Sequence, residues 1–382
     1  MKLLCTQENL SNALLALDRV VGKQMSLPIL SNILFETQKG RLKLSATNLE
    51  IGIMVGVGAK IESEGKLAVP AKVLAQFVHN LPQGEVITLE SSQGYLKLTS
   101  GGYTLNIKVL DGQDFPIIPE YKKEFPFSLP AQELKAALAR LLFCVSTNES
   151  RPELSGVHIA FGERQIEVAA TDSFRLGQEI LPLEKPAIGY KNFREENPSL
   201  ILPTATIQEL MRVIGTETES LQIALEENQI FFEAENVRLV SRLINGRYPD
   251  YHQIIPEKFG LEVVLRKDDC IRALKIASGL SSFVSGEIAL VLDPKKETAT
   301  ILSQSKEIGD NTSIFPLKAS KGEEPMTFVF HPRYVMEGIS ALRSEEITFS
   351  ANTPTTPVLL SESGEKATNY RYILMPIRKE YA

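Results

Sequence analysis

The sequence predicts an α+β protein: three repeats of one unit, each with two helices packed on largely antiparallel sheet. Three observations carry this. Ala170-Thr171-Asp172 repeats Ala46-Thr47-Asn48 at a separation of 124 positions (170 − 46). Pro152-Glu153-Leu154-Ser155-Gly156-Val157 answers Pro28-Ile29-Leu30-Ser31-Asn32-Ile33 at the same separation. Later, Leu202-Pro203 and Tyr248-Pro249-Asp250 answer Val69-Pro70 and Phe115-Pro116-Ile117, now 133 positions apart (249 − 116). The added length falls in the polar stretch Pro186 to Pro198. The period is far longer than a solenoid repeat, so each unit is expected to hold its own core.

In the first unit, residues 8–21 read as a helix, with Leu10, Leu14, Leu17 and Val21 on one face. The chain turns at Pro28 and becomes extended through Phe35; Gln38-Lys39-Gly40 is a turn. Strands follow over Arg41 to Ala46, Ile51 to Val57 and Leu67 to Val69. Pro70 is expected at the first position of a second helix, with Val73, Leu74, Phe77, Val78 and Leu81 inward. Alternating runs at Val86–Leu89, Tyr95–Leu98 and Tyr103–Val109 make a meander, turning at Ser91–Gly94 and Gly101-Gly102.

The second unit restarts at Pro130, with Leu134, Leu138, Leu141 and Leu142 inward. Its second helix carries Ile207, Leu210, Met211 and Ile214, and its meander spans Leu221–Leu225, Ile230–Ala234 and Val237–Leu243. The third copy begins near Phe259. Its first helix carries Ile271, Leu274 and Ala277, and Thr300 to Ser305 stands where the triplet belongs. His331-Pro332 opens its second helix, with Val335, Met336, Ile339 and Leu342 inward. Strands around Ile347–Ser350, Val358–Leu360 and Tyr370–Met375 end it. Pro and charge near 120–128 and 252–258 suit domain boundaries, which gives domains 1–124, 125–253 and 254–382.

A chain of 382 residues has length for two or three cores, and 43% hydrophobic with 23% charged residues is ordinary for a globular protein. No apolar run reaches the ~18 residues of a membrane span, and the N-terminus lacks a signal-peptide pattern, so a cytoplasmic protein is expected. Cys5, Cys144 and Cys270 are widely spaced and form no CxxC pair; they read as buried thiols, with no metal site. The four histidines have no metal-binding spacing, and neither a phosphate loop nor a GxSxG elbow occurs. Asp172 and Arg175 read as a polar site or a turn-side salt bridge; Glu195-Glu196 and Asp268-Asp269 read as solvated or helix N-terminal acids. No catalytic residue and no cofactor is expected.

The net charge of −6 argues against a simple basic nucleic-acid binder. Charge is nevertheless placed unevenly. Arg19, Lys23, Lys72, Lys135, Arg140, Arg212, Arg272, Lys275, Arg333 and Arg343 lie on or beside helices, whereas Glu85, Glu90, Glu217, Glu219, Glu226, Glu227, Glu233 and Glu235 lie among strands. Glu8, Asp18, Glu133, Glu209 and Glu337 make the segregation incomplete. If the helices share one surface, an acidic chain presents a basic face. The C-terminal run Tyr372 to Arg378 is either a core strand or one wall of an apolar groove.

Taken together, Thr171-Asp172-Ser173-Phe174-Arg175-Leu176, Arg242-Leu243-Ile244-Asn245-Gly246-Arg247-Tyr248-Pro249-Asp250-Tyr251, Met375-Pro376-Ile377-Arg378 and Leu27-Pro28-Ile29-Leu30-Ser31-Asn32 resemble the bacterial DNA polymerase III β subunit family, the sliding clamps. The resemblance runs co-linearly along the whole chain. It implies a head-to-tail homodimeric ring around double-stranded DNA, bound without sequence preference. It also implies tethering of the polymerase III α subunit, the clamp-loader δ subunit and other proteins that carry a clamp-binding peptide. The partner-peptide groove implied by the family comprises Leu154, Thr171, Phe174, Arg175, Leu176, Pro249, Ile254, His331, Tyr334, Pro357, Ile373, Leu374, Met375, Pro376, Ile377 and Arg378. Leu176, Ile254, Ile373 and Met375 would bury the ligand's anchor. The implied DNA contacts are Lys23, Gln24, Lys72, Asn148 and Arg151, and the implied dimer seam joins Leu105 and Ile107 to Leu280. Ser173-Phe174 replaces a Gly-His pair of some members, Gln253 replaces a basic residue, and Glu153 stands where an aromatic residue often meets DNA. A paralogous clamp for repair or inhibitor resistance, or an enzyme on a repeated α+β scaffold, are the alternatives.

Overall fold

The computed structural model describes residues 1–22, 27–38, 40–148, 150–183, 199–226, 228–281, 286–305, 307–364 and 369–378. The loop from Pro186 to Pro198 and the pair Glu195-Glu196 lie outside the described residues. In chain order the elements are β1 (Lys2–Thr6), α1 (Gln7–Leu17), β2 (Asn32–Gln38), β3 (Arg41–Thr47), β4 (Ile51–Val57), β5 (Ala59–Ser63), β6 (Lys66–Pro70), α2 (Ala71–His79), β7 (Val86–Ser92), β8 (Tyr95–Ser100), β9 (Tyr103–Lys108), β10 (Leu110–Asp111) and β11 (Phe127–Pro130). There follow α3 (Ala131–Leu141), β12 (Gly156–Phe161), β13 (Gln165–Thr171), β14 (Arg175–Pro182), β15 (Ser199–Pro203), α4 (Thr204–Val213), β16 (Ser220–Glu226), β17 (Gln229–Ala234) and β18 (Val237–Arg242). The chain ends with β19 (Leu261–Arg266), α5 (Lys267–Ser281), β20 (Ile288–Asp293), β21 (Thr298–Ser305), β22 (Gly309–Lys321), β23 (Met326–Phe330), α6 (Pro332–Ala341), β24 (Glu346–Ala351), β25 (Val358–Glu362) and β26 (Tyr370–Leu374). Two helices per repeat, on antiparallel sheet, is the arrangement the sequence predicts.

By contact the chain divides into two compact units. The first holds Met1–Lys135, Lys185–Pro198 and Leu202–Leu243; the second holds Ala136–Glu184, Ser199–Ile201 and Ile244–Ala382. Strand pairing across repeats explains the split of the central repeat. In the first unit β4 pairs antiparallel with β18, which makes a nine-stranded sheet in the order β10-β6-β2-β3-β4-β18-β17-β16-β11. A five-stranded sheet, β5-β1-β7-β8-β9, completes it. In the second unit β14 pairs antiparallel with β26, inside the twelve-stranded sheet β15-β12-β13-β14-β26-β25-β24-β19-β22-β21-β20-β23.

Several local expectations shift. The first helix stops at Leu17, not near Val21: the Val20 and Val21 N–H groups both turn back to the Leu17 carbonyl, and Val20 rather than Val21 is buried. The Thr6 hydroxyl caps its start, accepting the Asn9 N–H at 3.3 Å. Pro70 ends β6 and caps α2 from outside the helix. The inward face of α2 is Ala71, Leu74, Ala75 and Val78, while Val73 is 47% exposed. Two small alanines complete the i, i+3, i+4, i+7 stripe, which moves Val73 to the outside. Pro332 does occupy the first turn of α6, behind His331. Strands β1 and β5 were not expected. β1 pairs with both β5 and β7 and carries buried Leu3 and Cys5.

Arg140 overturns its reading as a solvated helix cation. Its side chain is only 9% exposed and forms ion pairs with Glu179 and Glu362, whose side chains are 4% and 0% exposed. A charge removed from water persists only when opposite charge and hydrogen bonds satisfy it, which these two carboxylates do. All three cysteines are buried and unpaired.

Candidate partner-binding surface

The repeated triplet is a repeated turn. Between β3 and β4, the Thr47 hydroxyl donates to the Ile51 carbonyl at 2.8 Å and accepts the Leu49 N–H at 3.0 Å. The Asn48 carboxamide oxygen accepts the N–H groups of Glu50 and Ile51 at 3.0 and 2.8 Å. Between β13 and β14, the Thr171 hydroxyl donates to the Arg175 carbonyl at 2.7 Å and accepts the Ser173 N–H at 3.1 Å. The Asp172 carboxylate accepts the Phe174 and Arg175 N–H groups at 2.9 and 3.0 Å. Leu49 and Ser173 occupy the left-handed region at φ 76° and 78°. Thr and Asn or Asp are needed because their side chains substitute for backbone partners in the turn. Ser305 does part of this work in the third repeat, accepting the Glu307 and Ile308 N–H groups.

In the second unit this turn thrusts Phe174 outward, 62% exposed, onto a dense apolar base. Leu176 pairs with Ile373 across β14 and β26, and the Met375 N–H donates to the Phe174 carbonyl at 2.9 Å. Leu154, Leu176 and Ile373 are each 1% exposed and form one cluster with Ala169, Ile201, Tyr248 and Tyr251. They are therefore a floor, closed over by the chain's own packing. Leu374 is buried as well. The accessible apolar groups around it are Phe174, Ile254 at 46% exposure, and half-buried Pro249, Tyr334, Pro357, Met375 and Ile377. Pro376 is buried, and Arg378 is exposed. Beyond β26, the Ile377 N–H donates to the Val329 carbonyl at 2.8 Å.

Arg175 is 7% exposed, so it acts as a brace more than a free cation. Its Nε donates to Asp172 at 2.9 Å, its Nη1 pairs with Glu337, and its guanidinium lies 4.2 Å from the Tyr334 ring centroid and 5.3 Å from that of Phe143. Burial alone would raise the Glu337 carboxyl, but hydrogen bonds from Arg175 and Arg333 outweigh it and hold it below its ordinary value. Burial, reinforced by the Arg333 and Arg175 charges, lowers His331, so this half-buried ring favours its neutral form. It lies 4.9 Å from the Tyr334 ring. Asp172 was legible as a salt-bridge partner of Arg175; Glu337, from a distant helix, had no local signal.

Sequence reasoning missed the polar support behind the floor. The Tyr248 hydroxyl accepts the Thr171 N–H at 3.0 Å. Tyr251 donates to Glu167 at 2.8 Å, and His252 Nε2 lies 2.8 Å from the same carboxylate. Burial pushes Glu167 up, yet the hydrogen bonds of Gln178, Tyr251 and His252 prevail and lower it.

Of the residues expected at DNA, Lys72 is exposed on α2, and Asn148 is exposed before the Pro152 turn. Arg151 donates through Nε to Glu153 at 3.1 Å and through Nη1 to the Ser173 hydroxyl at 3.0 Å. Lys23 and Gln24 lie outside the described residues, as does the side chain of Leu280. β9 is an edge strand on which Ile107 faces inward at 7% exposure, Leu105 is half-buried and Tyr103 is 54% exposed. Among exposed helix cations, Arg212, Arg272 and Arg333 pair with Glu209, Asp269 and Glu337 on their own helices. Among the described residues no three His, Cys, Asp or Glu side chains gather as a metal site, and no helix is long and apolar enough to cross a membrane.

Three family models match the chain in order: the DNA polymerase III beta subunit N-terminal domain over residues 1–119, its central domain over 128–250 and its C-terminal domain over 252–378. The beta sliding clamp of Synechococcus elongatus is 29% identical over 99% of both chains. Among solved structures, the Caulobacter crescentus beta sliding clamp superposes with a TM-score of 0.90 at 27% identity, covering 99% of each chain. The Bartonella birtlesii sliding clamp, solved with griselimycin bound, gives 0.89 at 26% identity over 99% of this chain and 100% of its own. Matched along its length by all three domain models and by non-catalytic clamps, the chain belongs to the DNA polymerase III beta subunit family, the beta sliding clamps.

Proposed function

We propose that two copies of this chain close head to tail into a ring around duplex DNA, and that the surface beside Phe174 holds the polymerase to it. In this reading the clamp domains are 1–124, 125–253 and 254–382. The edge strand β9, with Leu105 and Ile107, would meet the neighbourhood of Leu280 in the second copy, by main-chain pairing with apolar support. Lys23, Gln24, Lys72, Asn148 and Arg151 would face phosphate. Such contacts position without reading sequence, so the ring slides.

The observation that carries the peptide-binding part is Phe174, a large aromatic held out at 62% exposure by a fully hydrogen-bonded turn. An exposed aromatic at the edge of a packed apolar floor suits the anchor of a short extended peptide. The polymerase III α subunit, the clamp-loader δ subunit and other proteins with a clamp-binding peptide are the proposed occupants. A tether of this kind raises the local polymerase concentration to about the millimolar range without any new contact to DNA.

Two measurements test the reading. Protein loaded on nicked circular DNA should survive a salt wash and be lost when the circle is cut; equal retention on circle and linear fragment would exclude encirclement. Met375→Ala should weaken binding of a polymerase-derived peptide by roughly tenfold while leaving the dimer mass unchanged.

A further inference from the structure

We propose that the first unit carries a second peptide seat, at the seam of β4 and β18, which takes an aliphatic anchor side chain. The seam repeats the turn and the strand pairing of the Phe174 surface, with Glu50 at the place of Phe174. The same turn precedes it, with Leu49 at the left-handed position that Ser173 holds in the other. The same cross-repeat pairing forms its floor, Gly52 opposite Val240 where the second unit has Leu176 opposite Ile373. Each floor is also overlaid by apolar side chains from a Pro-containing connector. In the second unit these are Tyr248 and Tyr251, packed with Leu176 and Ile373. In the first they are Ile118, Tyr121 and Phe125, packed against the cluster that holds Val240, and the Ile118 Cγ2 would lie only 2.5 Å from a Cβ placed on Gly52.

What remains beside Ile118 is a cleft of about 220 Å³, lined by Thr47, Leu49, Ile117 and Val240 with Glu50 and Arg242 at its rim. That is smaller than the ~300–1,000 Å³ of sites for whole small molecules, and it suits a single large side chain. Two of its walls are abnormally open: Ile117 is 94% exposed and Leu49 is 43% exposed. An aliphatic anchor between them would cover both. The rim offers one acid and one base, so a peptide with neutral polar flanks fits better than one of strong net charge. The chain's own Ile118 shows the chemistry that this floor accepts. The inference takes its ligand class from the proposed role of the Phe174 surface.

The test uses the full-length protein and an N-acetylated, C-amidated tetrapeptide, Ser-photoleucine-Ile-Ser, with adducts mapped by mass spectrometry. Adducts are expected on residues 47–52 and 117–119, and separately around Phe174. Leu49→Asn combined with Ile117→Ser should reduce the first set by roughly tenfold and spare the second. Both positions are exposed, and Asn suits the left-handed φ at position 49, so the variant keeps its fold. Absence of the first set, or its persistence in the double variant, overturns the second seat while leaving the Phe174 surface untouched. Adducts at the first seat alone uphold the inference and remove the Phe174 reading.

Discussion

Phe174→Ala separates binding from stability. A buried Phe covers roughly 200 Å² of surface. At 62% exposure, about 120 Å² of that remains in water in the free protein. If a bound peptide covered all of it, transfer at ~25 cal/mol per Å² would contribute about 3 kcal/mol, and half coverage about 1.5 kcal/mol. The expected loss of affinity is therefore roughly tenfold to 150-fold. Folding should barely change, because the side chain that is removed already faces solvent and the turn is held by Thr171 and Asp172, not by the ring. Titration of a fluorescent polymerase α-subunit peptide would give the dissociation constant, and thermal unfolding of the same samples would give stability. An affinity change below about twofold, with the unfolding midpoint unchanged, would refute the view that Phe174 covers the anchor.

Arg140→Ala should destabilise the protein by ~3–5 kcal/mol in urea unfolding, because two carboxylates stay buried without their cation; adding Glu179→Gln and Glu362→Gln should recover part of the loss. Glu167 is held below its ordinary value, so its contribution is present above the unfolded carboxyl range near pH ~4.3 and is lost as pH falls through the lower folded value. Glu167→Gln should flatten that acid limb in a series of unfolding midpoints against pH, and an unchanged limb would contradict the assignment. Burial pushes the thiols of Cys5 and Cys270 up to about 12 and that of Cys144 higher still. All three should resist alkylation at neutral pH until the chain is unfolded, as mass spectrometry of iodoacetamide-treated protein would report.

Repetition made the architecture legible. The Thr-Asn/Asp pair could be seen twice in the sequence because the turn demands those side chains at both places, and the structure shows the same hydrogen bonds in each. Helix faces were readable where leucine marks them, as on α3, and misread on α2 where Ala71 and Ala75 do the inward packing. Arg140 looked like any outward helix cation, because its partners Glu179 and Glu362 lie 39 and 222 positions away. The brace of Glu337 on Arg175 was hidden for the same reason. The floor residues Leu154, Leu176 and Ile373 were grouped from family likeness, yet their burial depends on Tyr248 and Tyr251, which spacing alone does not bring to them.

The place of β26 has a consequence for how the protein is made. It sits between β14 and β25 in the twelve-stranded sheet, although it follows both in the sequence, nearly two hundred residues after β14. Until it is synthesised, β14 and β25 each present an unpaired edge, and such edges invite pairing with other chains. The β14 edge therefore stays open from the synthesis of Arg175–Pro182 until Tyr370–Leu374 is made. A stop codon directly after Tyr370 would leave that central strand incomplete.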